Sequence, residues 1–132
     1  SKFRMILYRK MMLRMAEEIL QKEGAKAFVT GDSLAQVASQ TLENIGNIYS
    51  ATTYPILAPL IGFDKKEIVK MAEAIGTYSP SIKPYKDCCS FLVVKPATRA
   101  KPEHVEAFES RLDAEKLITD ALARTEVRDI IS

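Results

Sequence analysis

Three short stretches of this chain carry residues whose types and spacing suit chemistry. The first, VTGDS, places a glycine between a short apolar run and a helical pattern. In open parallel α/β sheets, ligands bind at such strand-to-helix turns, where a glycine lets the backbone approach the ligand. Gly31 is that glycine, and Ser33, Gln36 and Gln40 follow on one stripe of the expected helix. Hydrogen-bonding groups in this arrangement favour a nucleotide.

Asp32, in the same stretch, does not suit a phosphate cradle, because its charge repels phosphate. It fits better as a helix cap, as an acceptor for a hydroxyl group or as a contact to magnesium. The spacing of Ser33 and Gln36 also has the form of a capping box. A capped helix with polar outer residues is therefore an alternative explanation of the whole stretch.

The second stretch, FDKKEI, places Lys65 and Lys66 in the first turn of a predicted helix. A positive charge there opposes the helix macrodipole by roughly 0.3–1 kcal/mol. A lysine at this position suits the binding of an anion. Two exposed lysines, screened by salt, explain the pattern equally well.

The third stretch, KPYKDCCSF, contains the two cysteines of the chain, Cys88 and Cys89. Two nearby lysines favour the thiolate and the adjacent aspartate opposes it, so Cys88 is a candidate nucleophile; an inert buried cysteine fits as well. Adjacent cysteines form a strained disulfide and lack the spacing of zinc ligands. We therefore expect two thiols and no metal site, and we expect the single histidine, His104, on a helix surface.

These groups must be positioned by an alternation of strands and helices. The apolar residues recur at a helical period from Phe3 to about Lys22, where Gly24 ends the pattern. Two short apolar runs, at 26–30 and 55–62, predict buried strands. A helical pattern follows each run, from 34 to 48 with Ser33 as its start, and from 65 to 75. Strand, helix, strand, helix predicts a parallel α/β fold.

The third predicted helix, from 65 to 75, has clear end signals. Asp64 and Glu67 have the spacing of a capping box and Gly76 that of a C-terminal cap. Its predicted buried stripe comprises Ile68, Met71, Ala72 and Ile75. Four prolines in residues 77–102 predict an ordered loop region, within which DCCSFLVV is a candidate third strand. Two closing helices are expected, from Glu103 to Leu112 and from Ala114 to Ala123, with Asp113 as a cap.

Composition excludes some classes of protein. A chain of 132 residues with 47% hydrophobic and 27% charged residues is typical of one globular domain. No run approaches the ~18 apolar residues of a membrane span, and the start lacks the features of a signal peptide. We therefore expect no membrane partner and a cytoplasmic location. The net charge of +2 is too small to indicate a partner.

The first sixteen residues nevertheless concentrate positive charge, without any acidic residue. One interpretation is that these cations bind phosphates of a nucleic acid. The other is a solvated helix face, balanced by the acids that follow at Glu17, Glu18 and Glu23. The cations concerned are Lys2, Arg4, Arg9, Lys10 and Arg14.

Four segments together resemble the tRNA 4-thiouridine sulfurtransferase family, of the ThiI type, in its PP-loop ATP pyrophosphatase domain. The resemblance covers roughly residues 3–98, with the segments in the family's order. Their combination is far more specific than any one of them. The segments are LYRKMMLRMAEEIL, VTGDSLAQVASQTLENI, PILAPLIGFDKKEIVKMAEAIGTY and KPYKDCCSF.

The resemblance implies ATP-dependent thiolation of tRNA. In this family ATP adenylates O4 of a uridine near position eight, and a cysteine persulfide or sulfide then displaces AMP to leave 4-thiouridine. Some members also supply sulfur for thiamine thiazole synthesis. The resemblance thus implies ATP with Mg²⁺, a tRNA, and a cysteine desulfurase or another sulfide donor.

The resemblance also assigns roles to particular residues. The family's nucleotide contacts correspond to Arg9, Gly31 and Gln40. Its lysine in the DK-x-EI segment corresponds to Lys65, where a cation stabilises charge developing on the phosphates. Its catalytic cysteine corresponds to Cys88.

The chain departs from the family pattern in two respects. An SGGxDS-like pyrophosphate loop, the THUMP region and the rhodanese domain do not occur in these residues. We therefore expect residues 1–132 to be the carboxy-terminal portion of the PP-loop domain, inactive alone. The expected fold is part of a three-layer, parallel-sheet α/β domain of the adenine nucleotide α-hydrolase-like type, with closing C-terminal helices.

The second departure is the adjacent pair Cys88 and Cys89, where some archaeal-type relatives carry a C-x-x-C motif for an iron–sulfur cluster. The pair favours a persulfide on Cys88, with Cys89 as the resolving thiol. An exposed sheet edge and apolar face would also favour a homo-oligomer. The alternative function is a tRNA- or partner-binding module without catalysis.

Overall fold

The computed structural model describes residues 3–34, 40–85 and 97–130. Gln36 and the cysteine stretch, with the candidate third strand, therefore lie outside the described residues. The described elements are, in order, α1 (Arg4–Lys22), β1 (Phe28–Val29), α2 (Leu42–Tyr49), β2 (Ile56–Leu57), α3 (Lys65–Ala74), α4 (Tyr78–Ser81), α5 (Pro102–Glu109) and α6 (Ala114–Ala123).

The two described strands pair in parallel, as the sequence predicts. Phe28 lies opposite Ile56, and Val29 lies opposite Leu57. A parallel pair needs a crossover connection, which here contains α2. The predicted burial was wrong for one face of this sheet, because Val29 and Leu57 are 72% and 56% exposed.

Helix α1 follows its predicted bounds, and its end has a specific geometry. Gly24 adopts a φ of 66°, a conformation that favours glycine. The N–H of Gly24 donates to the carbonyl of Gln21 at 3.2 Å, and that of Ala25 to the carbonyl of Leu20 at 3.0 Å. This is a Schellman motif, which pairs carbonyls that the helix leaves free.

The hydrophobic core lies where α1, α2 and α5 meet. Helix α2 packs on α1, and the chain segment before α5 closes the cluster. This packing leaves the sheet at one side of the core. The buried members are Phe3, Ile6, Ile48, Ala100 and Val105.

Helix α2 begins at Leu42, so the single continuous helix predicted from 34 to 48 was wrong; residues 35–39, after the predicted start at Ser33, lie outside the described residues. Thr41 is extended, with φ −76° and ψ 156°, and its hydroxyl accepts from the N–H of Asn44 at 3.3 Å. A helix cannot continue through an extended residue, so Thr41 is the N-cap. The Ser33 hydroxyl donates to the carbonyl of Phe63 at 2.7 Å.

Helix α3 has the predicted capping box. The N–H of Glu67 donates to Asp64 Oδ1 at 2.9 Å, and Glu67 Oε2 accepts from the N–H of Asp64 at 2.8 Å. Gly76 ends the helix with a φ of 76°. Three residues of the predicted buried stripe, Ile68, Met71 and Ala72, are half-buried, whereas Ile75 was wrongly included because it is 74% exposed.

The two closing helices are confirmed, although α5 ends earlier than predicted. Pro102 occupies the first turn of α5, where its missing N–H costs nothing. Asp113 caps α6 by accepting from the N–H of Lys116 at 3.1 Å. His104 is exposed on α5, as expected. Among the residues described, no helix combines the length and apolar character needed to cross a membrane.

Candidate functional site

Asp32 is the centre of a buried hydrogen-bond network at the carboxyl end of β1. It is 3% exposed. Its Oδ1 accepts from Arg9 Nη2 at 2.5 Å, and its Oδ2 accepts from the hydroxyl of Tyr49 at 2.8 Å. Of the three roles considered for Asp32, the structure shows the acceptor for a hydroxyl group. The guanidinium compensates the carboxylate charge, which therefore repels a nearby phosphate less than an isolated carboxylate would.

Tyr49 completes this network from the last turn of α2. Its hydroxyl lies 3.0 Å from Thr30 Oγ1. Burial raises the pKa of Tyr49, and Asp32 raises it further, while Thr30 and Arg9 act in the opposite direction. The phenol therefore keeps its proton at neutral pH and donates a hydrogen bond to the Asp32 carboxylate.

Arg9 reaches Asp32 from α1 and retains unused donors. A guanidinium has five N–H groups, in a fixed plane. Arg9 Nη1 is buried and has no hydrogen-bond partner in the part of the chain that the structure describes. A buried donor without a partner costs about 1–3 kcal/mol. The nitrogen beside the Asp32 contact thus has capacity for an acceptor.

The backbone of Ser33 fixes the side chain of Gln40. Ser33, which is buried, donates its N–H to Gln40 Oε1 at 3.2 Å. Because the amide oxygen is engaged, the amide nitrogen of Gln40 is oriented as a donor. The Ser33 contact to Phe63 also holds the turn before α3 against this loop. Lys65, the first residue of α3, is exposed just beyond that turn.

Gly31 leaves open space beside this network. It is exposed, and no atom of the described residues lies within 4 Å of a Cβ placed on it. Its φ is not in the left-handed region, unlike those of Gly24 and Gly76. Neither the packing nor the backbone conformation of the described residues therefore requires a glycine here.

The structure thus brings Arg9, Gly31, Ser33 and Gln40 to one end of the sheet, with Lys65 following the contacting turn. Gln36 and Cys88 lie outside the described residues. Sequence reasoning missed Tyr49 and the partner of Asp32. The signal available in the sequence was Asp32 itself, an acidic residue just after a predicted strand, which indicates that a cation or a hydroxyl group lies nearby. No group of three or more His, Cys, Asp or Glu side chains suited to a metal ion occurs in the described ranges.

Other cations of α1 form a second cluster, with Glu109 of α5. Lys10 Nζ and Arg14 Nη2 each lie 2.7 Å from an oxygen of this carboxylate. Burial of Glu109 raises its pKa, but the hydrogen bonds and charges of Lys10 and Arg14 outweigh burial and lower the pKa overall. Lys10 is buried and pairs with Glu109, so the interpretation as a solvated face balanced by the acids at 17, 18 and 23 is wrong for Lys10. Binding of phosphates by the cations of the first sixteen residues stays a prediction.

A parallel strand pair whose strand-to-helix turn presents hydrogen-bond donors is typical of nucleotide-binding α/β proteins. The model of the thiamine biosynthesis protein (ThiI) family matches residues 1–114. The chain belongs to this family, as its resemblance in sequence indicated.

Two relatives extend this assignment. The chain is 52% identical over 126 residues to a probable tRNA sulfurtransferase of Thermus thermophilus, a match that covers 95% of this chain and 31% of the relative. It also matches the crystal structure of a 4-thiouridine synthetase–RNA complex with bound ATP. That match has a TM-score of 0.87 and 48% identity, and covers 94% of this chain and 33% of the other. The chain thus spans about a third of the length of these relatives.

Proposed function

We propose that this chain takes part in the ATP-dependent thiolation of a tRNA uridine to 4-thiouridine. The observation that carries the proposal is the match, with a TM-score of 0.87 and 48% identity, to a 4-thiouridine synthetase bound to RNA and ATP. The fold around the β1–α2 turn supports it, because the turn gathers donors suited to a nucleotide. A cytoplasmic location would suit this function.

In this proposal the β1–α2 turn and Arg9 form one wall of the ATP site. Arg9 and Gln40 each have donors to offer, through Nη1 and the amide nitrogen respectively. Gly31 leaves room for a ligand beside the backbone. Ser33 fixes Gln40, and we assign Gln36 to the same wall from the sequence alone.

The chemistry that we propose begins with attack of uridine O4 on the α-phosphorus of ATP, which releases pyrophosphate and leaves an adenylated uridine. Lys65 stabilises the negative charge that develops on the phosphates. Its place at the start of α3, after a turn held by Ser33, supports this role. Mg²⁺ enters with the phosphates of ATP.

Sulfur transfer is assigned to the adjacent cysteines. The persulfide of a cysteine desulfurase transfers its outer sulfur to the Cys88 thiolate. The outer sulfur of the resulting Cys88 persulfide attacks C4 of the adenylated uridine and displaces AMP. The thiolate of Cys89 then attacks the Cys88 sulfur, which releases 4-thiouridine and leaves a disulfide for later reduction. The same sulfur would be available for thiamine thiazole synthesis.

The other wall, with a pyrophosphate-binding loop, is proposed to come from residues other than these 132. Residues 1–132 would then be the carboxy-terminal portion of a three-layer PP-loop domain, without turnover by themselves. The experiment therefore uses what we term the complemented protein: residues 1–132 joined to the part of the Thermus relative that they do not match.

The test is 4-thiouridine formation on tRNA by the complemented protein, with ATP, cysteine and a cysteine desulfurase as the sulfur source. Cys88→Ser is expected to abolish thiolation. The matched variant Cys89→Ser is expected to stall with the tRNA joined to Cys88 by a disulfide, from which an added thiol releases 4-thiouridine, because only the release step lacks its thiolate. Thiolation by Cys88→Ser at the unmodified rate would contradict the assignment of sulfur transfer to Cys88.

A further inference from the structure

Asp32 is a buried carboxylate near the proposed ATP site, and it is engaged within the chain rather than open to a ligand. Both oxygens accept hydrogen bonds within the chain, one from Arg9 and one from Tyr49. A buried carboxylate is costly unless it is paired and hydrogen-bonded. Direct binding of the nucleotide therefore does not explain Asp32, whereas an action through its partners does.

The contact with Asp32 restricts the guanidinium of Arg9. A free arginine side chain has about 2 kcal/mol of rotamer entropy to lose when it becomes ordered. Asp32 Oδ1 holds Nη2, and because the guanidinium is planar this contact also fixes the direction of Nη1. Nη1 is buried and lacks a hydrogen-bond partner among the described residues. No described hydrogen bond of Nη1 therefore holds it in place, whereas the contact of Nη2 with Asp32 does.

The chemistry of the unused donors points to an anionic oxygen. Hydrogen bonds from a guanidinium to phosphate or carboxylate are shorter and stronger than neutral ones. Asp32 already supplies the carboxylate for Nη2. The phosphates of ATP are the anionic oxygens that the proposed function brings to this end of the sheet.

We propose that Asp32 is a positioning residue: its carboxylate, held by the hydroxyl of Tyr49, orients Arg9 so that Nη1 donates to a phosphate oxygen of ATP. This inference rests on the proposed function and adds to it a residue that does not itself touch the nucleotide. It also gives Tyr49 a role, since the tyrosine hydroxyl holds Oδ2 of Asp32, the carboxylate oxygen that Arg9 does not contact.

The first experiment tests the positioning without any nucleotide. In residues 1–132 labelled with ¹⁵N, the side-chain N–H signals of Arg9 report whether its guanidinium rotates freely. Restricted signals in the unmodified chain and averaged signals in Asp32→Asn are expected. Asp32→Glu keeps the carboxylate and is expected to restore part of the restriction. Averaged signals in the unmodified chain would overturn the positioning role.

The second experiment measures MgATP affinity in the complemented protein as a double-mutant cycle. Asp32→Asn and Arg9→Ala are each expected to weaken binding by roughly tenfold or more, because each removes the effect of a charged hydrogen bond. The double variant is expected to be no weaker than Arg9→Ala, because Asp32 acts through Arg9. The inference would be overturned if the fold-loss of MgATP affinity in the double variant equalled the product of the two single fold-losses. Unchanged affinity in Asp32→Asn would also overturn it.

Two further readouts keep the outcomes separate. If Asp32→Asn prevents folding, Tyr49→Phe replaces it in the cycle. A smaller loss of MgATP affinity in Tyr49→Phe, which is absent when Arg9 is already alanine, supports the inference. Unchanged affinity in Tyr49→Phe overturns it. If the unmodified complemented protein binds no MgATP, the proposed function fails and so does the phosphate contact. The Arg9 signals would still show whether Asp32 orients Arg9.

Discussion

Gly31 is a residue whose identity the described part of the chain does not explain. It has no left-handed φ, and a Cβ would meet no described atom within 4 Å. Gly31→Ala should therefore leave the free energy of unfolding unchanged or raise it by about 0.4–1 kcal/mol, since alanine restricts the unfolded chain. If a nucleotide approaches the backbone here, the same methyl group should weaken MgATP binding.

Gly46→Ala is the matched control, because Gly46 lies within α2 and its Cβ would also meet no described atom within 4 Å. This control should not weaken MgATP binding by the complemented protein. The measurements are denaturant unfolding of the 132-residue chain and titration of the complemented protein with MgATP. Unchanged affinity in Gly31→Ala would remove Gly31 from the proposed wall.

The amide of Gln40 provides a second prediction at the residue scale. Because Oε1 accepts from Ser33, the amide nitrogen is left to donate. Gln40→Glu keeps an acceptor for Ser33 but replaces the donor by a negative charge. MgATP affinity should fall by roughly tenfold or more, because a charged oxygen then faces an anionic ligand.

Gln21→Glu makes the same change in charge at an exposed position in the last turns of α1. It should bind MgATP as the unmodified protein does. Equal affinities in Gln40→Glu and Gln21→Glu would show that the Gln40 amide does not contact the nucleotide.

At this scale, what the sequence could predict depended on local spacing. The positions of Gly31 and Ser33 after an apolar run are local features, and the structure places both at the expected turn. The network of Arg9, Asp32 and Tyr49 joins three separate elements, so no spacing within one segment predicts it. Burial of Asp32 also reverses the expectation that an acidic residue in a turn is solvated.

At the scale of elements, one carboxylate joins α1 to α5. Glu109 pairs with the buried Lys10 and with Arg14. Glu109→Gln should lower the free energy of unfolding by about 1–3 kcal/mol, because it leaves the ammonium of Lys10 buried without an opposite charge. Urea unfolding measures this loss.

The control for this substitution is Glu126→Gln, which removes the carboxylate of the exposed pair between Glu126 and Arg128. Exposed pairs contribute little to stability, so no measurable change is expected. Equal stabilities of Glu109→Gln and the unmodified chain would show that the cluster does not stabilise the contact of α1 with α5.

The lowered pKa of Glu109 predicts how stability depends on pH. A carboxylate with a lowered pKa in the folded state contributes stability that is fully present above its unfolded value, near 4.5. This contribution is lost as the pH falls below 4.5, through the pKa of the folded state. The urea midpoint of the unmodified chain should therefore fall more steeply under acid than that of Glu109→Gln. Parallel pH profiles of the two chains would contradict this.

The elements themselves were predictable where local signals were strong. Helix α1 and the capping box of α3 depend on residues within one or two turns, and both are confirmed. The start of α2 was not predictable from the apolar period, because the extended Thr41 interrupts a pattern that otherwise continues. The burial of α3 and of the strands depends on which elements cover them, which periodicity alone does not reveal.

In the whole molecule, the described strands present two apolar side chains on one face of the sheet that no described residue buries. Val29 and Leu57 lie side by side on it, and both are largely exposed to solvent. A second copy of the chain would cover this face in the expected homo-oligomer, and further helices would cover it in the expected three-layer architecture. Both stay predictions. The described residues confirm a coarser statement: the chain combines helices with a small parallel sheet, and its structure matches that of a 4-thiouridine synthetase.

The central claim is that these residues supply part of the ATP site of a tRNA-thiolating protein. The most direct measurement is tRNA-dependent release of pyrophosphate from ATP by the complemented protein, in Lys65→Ala and in its exposed neighbour Lys66→Ala. The expected result is pyrophosphate release in the unmodified protein, at least about tenfold slower release in Lys65→Ala, and an unchanged rate in Lys66→Ala. Equal rates in the two variants, or no tRNA-dependent release at all, would contradict it.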